Sequence, residues 1–90
     1  MMNETGKKEI EFPRRWEFRL AVEAPLAAAA RQAAHRILAA KDPAAEVTMG
    51  DTSAHGRYAA LRATAEVGSR AELDELCRAL SEIPGFKLLF

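Results

Sequence analysis

Alternation of apolar and polar residues in two separate segments constrains the fold most. Along residues 15–22 and again along residues 58–67, the side-chain character changes with a period of two. This period places successive side chains on opposite faces of a β-strand. The segments are therefore predicted to be half-buried strands, β1 (residues 15–22) and β3 (residues 58–67), whose inward side chains are Trp16, Phe18, Leu20, Val22, Ala59, Leu61, Ala63, Ala65 and Val67.

Two shorter runs are predicted to complete the strands. In residues 46–49, Val47 and Met49 alternate with polar residues and indicate β2, and residues 50–56 carry the turn-forming residues of a hairpin loop. The run 86–90 is predicted to be β4. Its inward side chains would be Phe86, Leu88 and Phe90, with Lys87 and Leu89 facing outward.

Two further segments carry the three- and four-residue apolar spacing of amphipathic helices. Pro25 suits the first turn of a helix α1, which ends before Asp42 because the proline that follows cannot continue it. Ser69 and Glu72 form a capping box that begins α2, and Pro84 ends that helix. Each predicted helix therefore has a start and a stop in the sequence.

The order strand, helix, hairpin, helix, strand has few compact solutions, because crossovers between parallel strands are right-handed. The simplest is an α+β ferredoxin-like βαββαβ sandwich, a four-stranded antiparallel sheet with two helices on one face. We expect β1 and β3 at the centre, running parallel to each other, with β4 and β2 at the edges. Residues 12–90 would form this single domain, preceded by a flexible N-terminal tail of residues 1–11.

Composition limits the function classes. The formal net charge is zero, so general binding to polyanions or to an anionic membrane is not expected. The single cysteine, Cys77, excludes an internal disulfide framework and favours a reducing compartment, so we expect a cytoplasmic protein. No stretch is long and apolar enough to span a bilayer, which predicts a soluble chain.

Several motifs resemble those of a known family. They are a Phe-Pro pair before β1, a glycine two residues before Tyr58, the run Ser69-Arg70-x-Glu72-Leu73-Asp74-x-Leu76, and the ending Pro84-Gly85-Phe86-Lys87. Together, over residues 10–90, they resemble the YbeD-like family of small uncharacterised bacterial proteins. The resemblance implies a ferredoxin-like fold close to the ACT regulatory domains, which bind small ligands, often amino acids, at dimer interfaces. Residues 23–26 depart from ligand-binding ACT domains, which usually carry a glycine in this turn.

The sequence contains no catalytic, metal or cofactor constellation. His35, His55 and Cys77 share no metal-ligand spacing, and Cys77 lies in the apolar stripe of α2, where a small core residue is expected rather than a reactive thiol. We therefore expect a protein that is not an enzyme and that uses no cofactor and no metal.

Two surfaces remain as candidate binding sites. Arg19, Tyr58 and Arg62 are predicted to lie on the open face of the sheet, where Glu17 and Glu66 lie among the arginines and favour a solvated face of mixed charge over a binding surface. The second surface is the turn of Glu23 and Ala24 before α1. Ala24 has no side chain that could cap the helix, so the first amide hydrogens of α1 need another acceptor, which is Glu23, water or an anionic ligand.

These features favour a non-enzymatic regulatory or adaptor domain that binds a small ligand or a protein partner. The edge strand β4 could also pair with a second copy to form a homodimer. One alternative is a nucleic-acid-binding domain that uses Arg19, Tyr58 and Arg62. Another is an acylphosphatase-like hydrolase, which would need converging amides or an arginine near residues 23–27.

Overall fold

The computed structural model describes residues 11–52 and 56–90, with only the backbone of residues 51 and 52. The predicted tail, apart from Glu11, and the hairpin residues 53–55 lie outside the described residues. The elements are β1 (Arg14–Glu23), a 3₁₀ turn (Ala24–Leu26), α1 (Ala27–Ala39), β2 (Glu46–Thr52), β3 (Tyr58–Val67), α2 (Arg70–Leu80) and β4 (Phe86–Leu89).

The four strands form one sheet in the order β2-β3-β1-β4, and every neighbouring pair is antiparallel. This confirms the α+β ferredoxin-like fold and the predicted central and edge positions. The expected parallel direction of β1 and β3 was wrong. Because α1 carries the chain from β1 to the far edge, β2 returns parallel to β1, and the hairpin then reverses β3 between them.

The core lies between the sheet and both helices. Leu20 and Leu61 face each other across the central pair and are 0% and 1% exposed, respectively. Ala30 and Ala34 on α1 are also fully buried, and such small side chains allow the helix to approach the sheet closely. Trp16 is half-buried against this core and stacks on Phe12, so its predicted inward direction is confirmed.

The end of the sheet differs from the sequence-based expectation. Val22 pairs with Phe86 and Ala21 with Leu88, so one step along β1 corresponds to two steps along β4. Lys87 is the extra residue of a β-bulge. Because a bulge adds one residue to one strand only, it reverses the alternation of every side chain beyond it.

The reversal changes which residues of β4 are buried. Leu89 now pairs with Leu20 and packs against the core, although it was predicted to face outward. Leu88 and Phe90, predicted to face inward, are 49% and 66% exposed. The predicted phase is correct for Phe86, which packs against the core before the bulge, and for Lys87, which faces outward.

A second register shift lies in β2, between Met49 and Thr52. Met49 pairs with the buried Leu61, as its predicted phase requires, yet Met49 is half-exposed. Since β2 is an edge strand, its end receives less cover from the helices than the central strands do.

The loop after α1 is held by Asp42. Its Oδ2 accepts a hydrogen bond from the amide of Glu66 at 2.9 Å, and its Oδ1 accepts one from the amide of Ala44 at 3.0 Å. These two bonds to the charged form, chiefly the one from Glu66, lower the pKa of the Asp42 carboxyl. The residue that precedes the helix-breaking proline thus also ties the loop to β3.

The bulge predicts different costs for two adjacent leucines. Leu89→Ala should reduce the free energy of unfolding by about 1–2 kcal/mol, because it removes apolar contacts with the core, whereas Leu88→Ala should cost less than about 0.5 kcal/mol. Urea denaturation of both variants measures this difference. A larger loss for Leu88→Ala would show that β4 has no bulge and keeps the simple alternation.

The Asp42 contacts predict a pH-dependent contribution to stability. The pKa of this carboxyl is lower in the folded than in the unfolded chain, so its contribution is present above the unfolded pKa and is lost as pH falls through the folded pKa. The thermal midpoint of wild type should therefore exceed that of Asp42→Asn at pH 7, and the difference should shrink in acid. A difference that stays constant down to pH 2 would contradict this assignment.

Candidate functional site: the open face of the sheet

The face of the sheet opposite the helices is organised in rows of paired side chains. Arg19 lies opposite Arg62, Ala21 opposite Ala60, and Glu23 opposite Tyr58. These residues alternate with buried ones in β1 and β3, so their side chains share the open face. The structure thus brings together Arg19, Glu23, Tyr58 and Arg62, which the sequence proposed at two separate sites.

The two arginines share one carboxylate. Glu17 Oε2 lies 2.9 Å from Nε of Arg62 and 3.6 Å from Nε of Arg19. Glu46 of β2 is exposed on the same face, in the row of Thr64 and Glu17, so two carboxylates balance the two arginines. Both arginine side chains are more than half exposed.

The open face also carries large apolar side chains. Leu88 and Phe90 on β4 are 49% and 66% exposed, and Tyr58 on β3 is 38% exposed. Phe90 lies beside Arg19, because the Phe90 amide donates a hydrogen bond of 2.8 Å to the carbonyl oxygen of Arg19. Leu88 lies beside Ala21, its partner in β1. Leu88 and Phe90 are close to each other on β4, whereas Tyr58 lies on β3, beyond β1, and we call the three together the apolar patch.

Sequence reasoning missed Leu88 and Phe90 as surface residues. Four of the five residues from Phe86 to Phe90 are apolar, so either phase of alternation would bury apolar side chains and the period could not decide between them. The single lysine at the bulge, Lys87, was the only departure from this apolar run.

Small residues form one row across the open face. Gly50 of β2 lies next to Ala60, and a Cβ atom added to Gly50 would be 3.3 Å from the Ala60 Cβ. Ala21 continues this row on β1. We call the row of Ala21, Ala60 and Gly50 the trough. It adjoins a depression of about 380 Å³ lined by Arg19, Leu20, Thr48, Met49, Gly50, Ala60, Leu61, Arg62 and Phe90.

Lys87 joins the charged and apolar parts of this face. Its Nζ lies 3.4 Å from Oε2 of Glu23 and 6.0 Å from the centre of the Tyr58 ring. The ammonium group therefore offsets the charge of Glu23 and lies within cation–π range of the tyrosine. This end of the open face is close to neutral.

The turn before α1 is satisfied within the protein. The Glu23 amide donates to the carbonyl of Gly85 at 2.8 Å, and the Ala24 amide donates to the carbonyl of Arg57 at 2.9 Å. The Ala27 amide bonds to the carbonyl of Ala24, and Pro25 has no amide hydrogen. The amides of Glu23 and Ala24 are thus hydrogen-bonded to backbone carbonyls, and not to a capping side chain, water or an anion. The sequence did not suggest these carbonyls as partners.

Ala24 does not join the open-face residues, because its side chain packs half-buried against the core. The amides of Glu23, Ala24 and Ala27 are used internally and so do not converge on an anion as an acylphosphatase-like phosphate site requires, while Arg57 lies beside the turn through its backbone carbonyl. Glu23 belongs to the open face through its carboxylate alone.

The remaining reactive side chains lie elsewhere. Cys77 is half-buried against the core, and burial, with a smaller effect of the nearby Asp74 carboxylate, raises the pKa of its thiol. A raised pKa reduces the thiolate fraction that reacts or binds metals. His35 is exposed on α1, and His55 lies outside the described residues.

Across residues 11–52 and 56–90, no three His, Cys, Asp or Glu side chains are grouped so that they could hold a metal ion. Within the same part of the chain, neither helix has the length and apolar character needed to cross a membrane.

Comparison with known proteins supports the fold and the family. The solution structure of protein HP0495 from H. pylori is similar, with a TM-score of 0.75 and 15% sequence identity over 97% of this chain and 91% of that one. At this identity the likeness concerns the fold. No curated protein matches the chain. Residues 7–90 match the family of proteins of unknown function DUF493. The chain therefore belongs to the DUF493 family, the YbeD family that its sequence motifs resemble.

Proposed function

We propose that this protein is a non-enzymatic adaptor or regulatory domain that binds a partner protein on the open face of its sheet. The observation that carries this proposal is the apolar patch of Tyr58, Leu88 and Phe90 on the side of the sheet without helices. Fully burying a leucine or phenylalanine side chain is worth about 1.5–3 kcal/mol. A partner that covers the patch would gain part of this free energy.

A protein partner fits the open face better than a small ligand does. Small-molecule sites are concave and enclose most of the ligand surface. Here the depression is open along the sheet, Phe90 lines it, and both Phe90 and Leu88 have about half or more of their surface in solvent. A broad surface with large apolar side chains near a polar rim is typical of protein interfaces.

A second copy of the chain is a competing partner, because β4 is an edge strand that could pair with another β4. A charged lysine and a β-bulge, both present here at Lys87, are features by which natural edge strands resist such pairing. The proposal therefore places the partner on the face of the sheet rather than at its edge. Light scattering over a range of concentrations separates the two, since edge pairing would give a homodimer.

We expect partner binding to depend on Leu88. In affinity capture from the native cytoplasm, Leu88→Ser should lose the bound protein because it replaces a contact residue of the patch with a polar one. The matched control is Leu26→Ser, which removes another exposed leucine outside the sheet. Equal capture by both variants, or equal loss in both, would refute binding at the open face. Thermal melts check that each variant is folded.

Nucleic acid is the alternative ligand for Arg19, Tyr58 and Arg62. In the structure Glu17 contacts both guanidinium groups, so Glu17→Gln should strengthen binding to a short single-stranded RNA at low salt, where electrostatic attraction acts first. Fluorescence anisotropy measures the change. Wild-type protein should bind this RNA weakly. Tight wild-type binding that Tyr58→Ala abolishes would favour the nucleic-acid function instead.

A further inference from the structure

We propose that the outer side of α1 is a second binding surface, which takes a segment of a partner protein that carries two carboxylates within a few residues of each other. We call this the α1 surface and define it by Arg31, Gln32, His35 and Arg36. Because α1 packs on the face of the sheet opposite the open face, the α1 surface is separate from the apolar patch. The inference therefore goes beyond the proposed function, and a protein with both surfaces can hold two partners at once.

Side chains with N–H donors lie together on the α1 surface. Arg31 and His35 are four residues apart in α1. Gln32 and Arg36 repeat this spacing, which places each pair on adjoining turns of one side of the helix. All four side chains, together with two alanines, line the same open depression. A single partner segment can therefore reach all four.

The arginines of the α1 surface have no acidic partner. No Asp or Glu occurs in residues 24–41, and Asp42, which follows, uses its carboxylate to accept hydrogen bonds from two backbone amides. In the described part of the chain no carboxylate, that of Glu82 after α2 included, forms an ion pair with Arg31 or Arg36. Their positive charges are therefore left for a binding partner to neutralise.

Carboxylates on the neighbouring elements have other contacts or lie on the other face. On α2, oxygen atoms of Glu72 and Glu75 lie 3.9 and 3.5 Å from Nζ of Lys41. Asp74 Oδ1 lies 3.8 Å from Nε of Arg70. The acidic side chains of the strands lie on the open face, on the other side of the sheet, and are Glu17, Glu23, Glu46 and Glu66. Mixed charge thus balances the open face, whereas the α1 surface keeps an unbalanced positive charge.

The chemistry of the helix itself explains one of the two arginines. Arg36 lies in the last turn of α1, where the helix dipole stabilises a positive charge. Arg31 lies in the middle of the helix and is half-buried, so its side chain gives up hydration and freedom without gaining a carboxylate in return. A carboxylate of a partner would offset this cost, which makes Arg31 the principal contact of the α1 surface.

The donor set favours carboxylates on a protein segment over other anions. A guanidinium group binds a carboxylate through two parallel N–H donors. At about 1.5 Å per residue, Arg31 and Arg36 are about 7.5 Å apart along the helix axis, a distance that two carboxylates a few residues apart can span. The depression is too open to enclose a small anion. Two arginines also neutralise too few phosphates to hold a nucleic acid at physiological salt.

The test titrates the folded protein with short peptides of one length. The first carries pairs of Glu separated by small residues, the second has Gln in place of every Glu, and the third has Lys in place of every Glu. We expect the Glu peptide alone to shift the amide resonances of Gln32, His35 and Arg36 at low salt. These shifts should shrink as salt rises, because dissolved ions screen exposed charges. The resonances of Ala21 and Ala60 on the open face should not move.

Arg31→Gln combined with Arg36→Gln should weaken binding of the Glu peptide about five- to tenfold at low salt, because two exposed charge pairs are lost. The matched control is Arg14→Gln combined with Arg78→Gln, which removes the same charge from exposed arginines on β1 and α2 and should change affinity less than about twofold. Leu88→Ser should bind the Glu peptide as wild type does. Amide spectra verify that each variant is folded.

Equal binding of the Glu and Gln peptides, no binding of either, equal loss in both double variants, or shifts centred on the open face would each overturn the α1 surface. Tighter binding of a single-stranded RNA with the same number of charges would assign the surface to nucleic acid instead. A shift of the α1 resonances with the concentration of the protein alone would show that the occupant is a second copy. The proposed function is tested separately, since it fails only if capture of its partner is independent of Leu88.

Discussion

The structure depends on the packing of two helices against one face of a sheet whose central strands carry small and medium apolar side chains. Leu20 and Leu61 fill the centre of this interface, and Ala30, Ala34 and Ala63 allow α1 to lie close above them. A chain of this length has a modest core, so each fully buried side chain accounts for a large part of the stability. Because both helices cover the same face, the opposite face of the sheet is left without a covering layer.

The bulge at Lys87 gives this uncovered face its chemical character. Without the bulge, Leu88 and Phe90 would face the core and Leu89 would face solvent. With it, the core takes Leu89, and two large apolar side chains lie on the side that also holds Arg19, Arg62 and Tyr58. One inserted residue at an edge strand thus adds two large exposed apolar side chains to a face of mixed charge.

The turn before α1 shows a similar effect of tertiary contacts. Sequence reasoning treated Glu23 and Ala24 as an uncapped helix start that an anion could satisfy. In the fold, the carbonyl oxygens of Gly85 and Arg57 accept hydrogen bonds from the amides of Glu23 and Ala24. These two residues directly precede β4 and β3, and both lie beside the turn. A backbone group has the same chemistry at every position, so no residue type in the sequence could identify these partners.

Local patterns in the sequence by themselves determined the element order, the strand phases of β1 and β3, the capped start of α2 at Ser69 and the resemblance to the family. These follow from periodicity and from residues with strong backbone preferences, both of which act within a few positions along the chain. Tertiary structure alone decided the antiparallel pairing of β1 with β3, the phase of β4 and the position of Glu23 opposite Tyr58 on the open face. Strand register joins residues far apart in sequence, and where nearly every residue is apolar, as in β4, only the packing of the assembled core selects which side chains are buried.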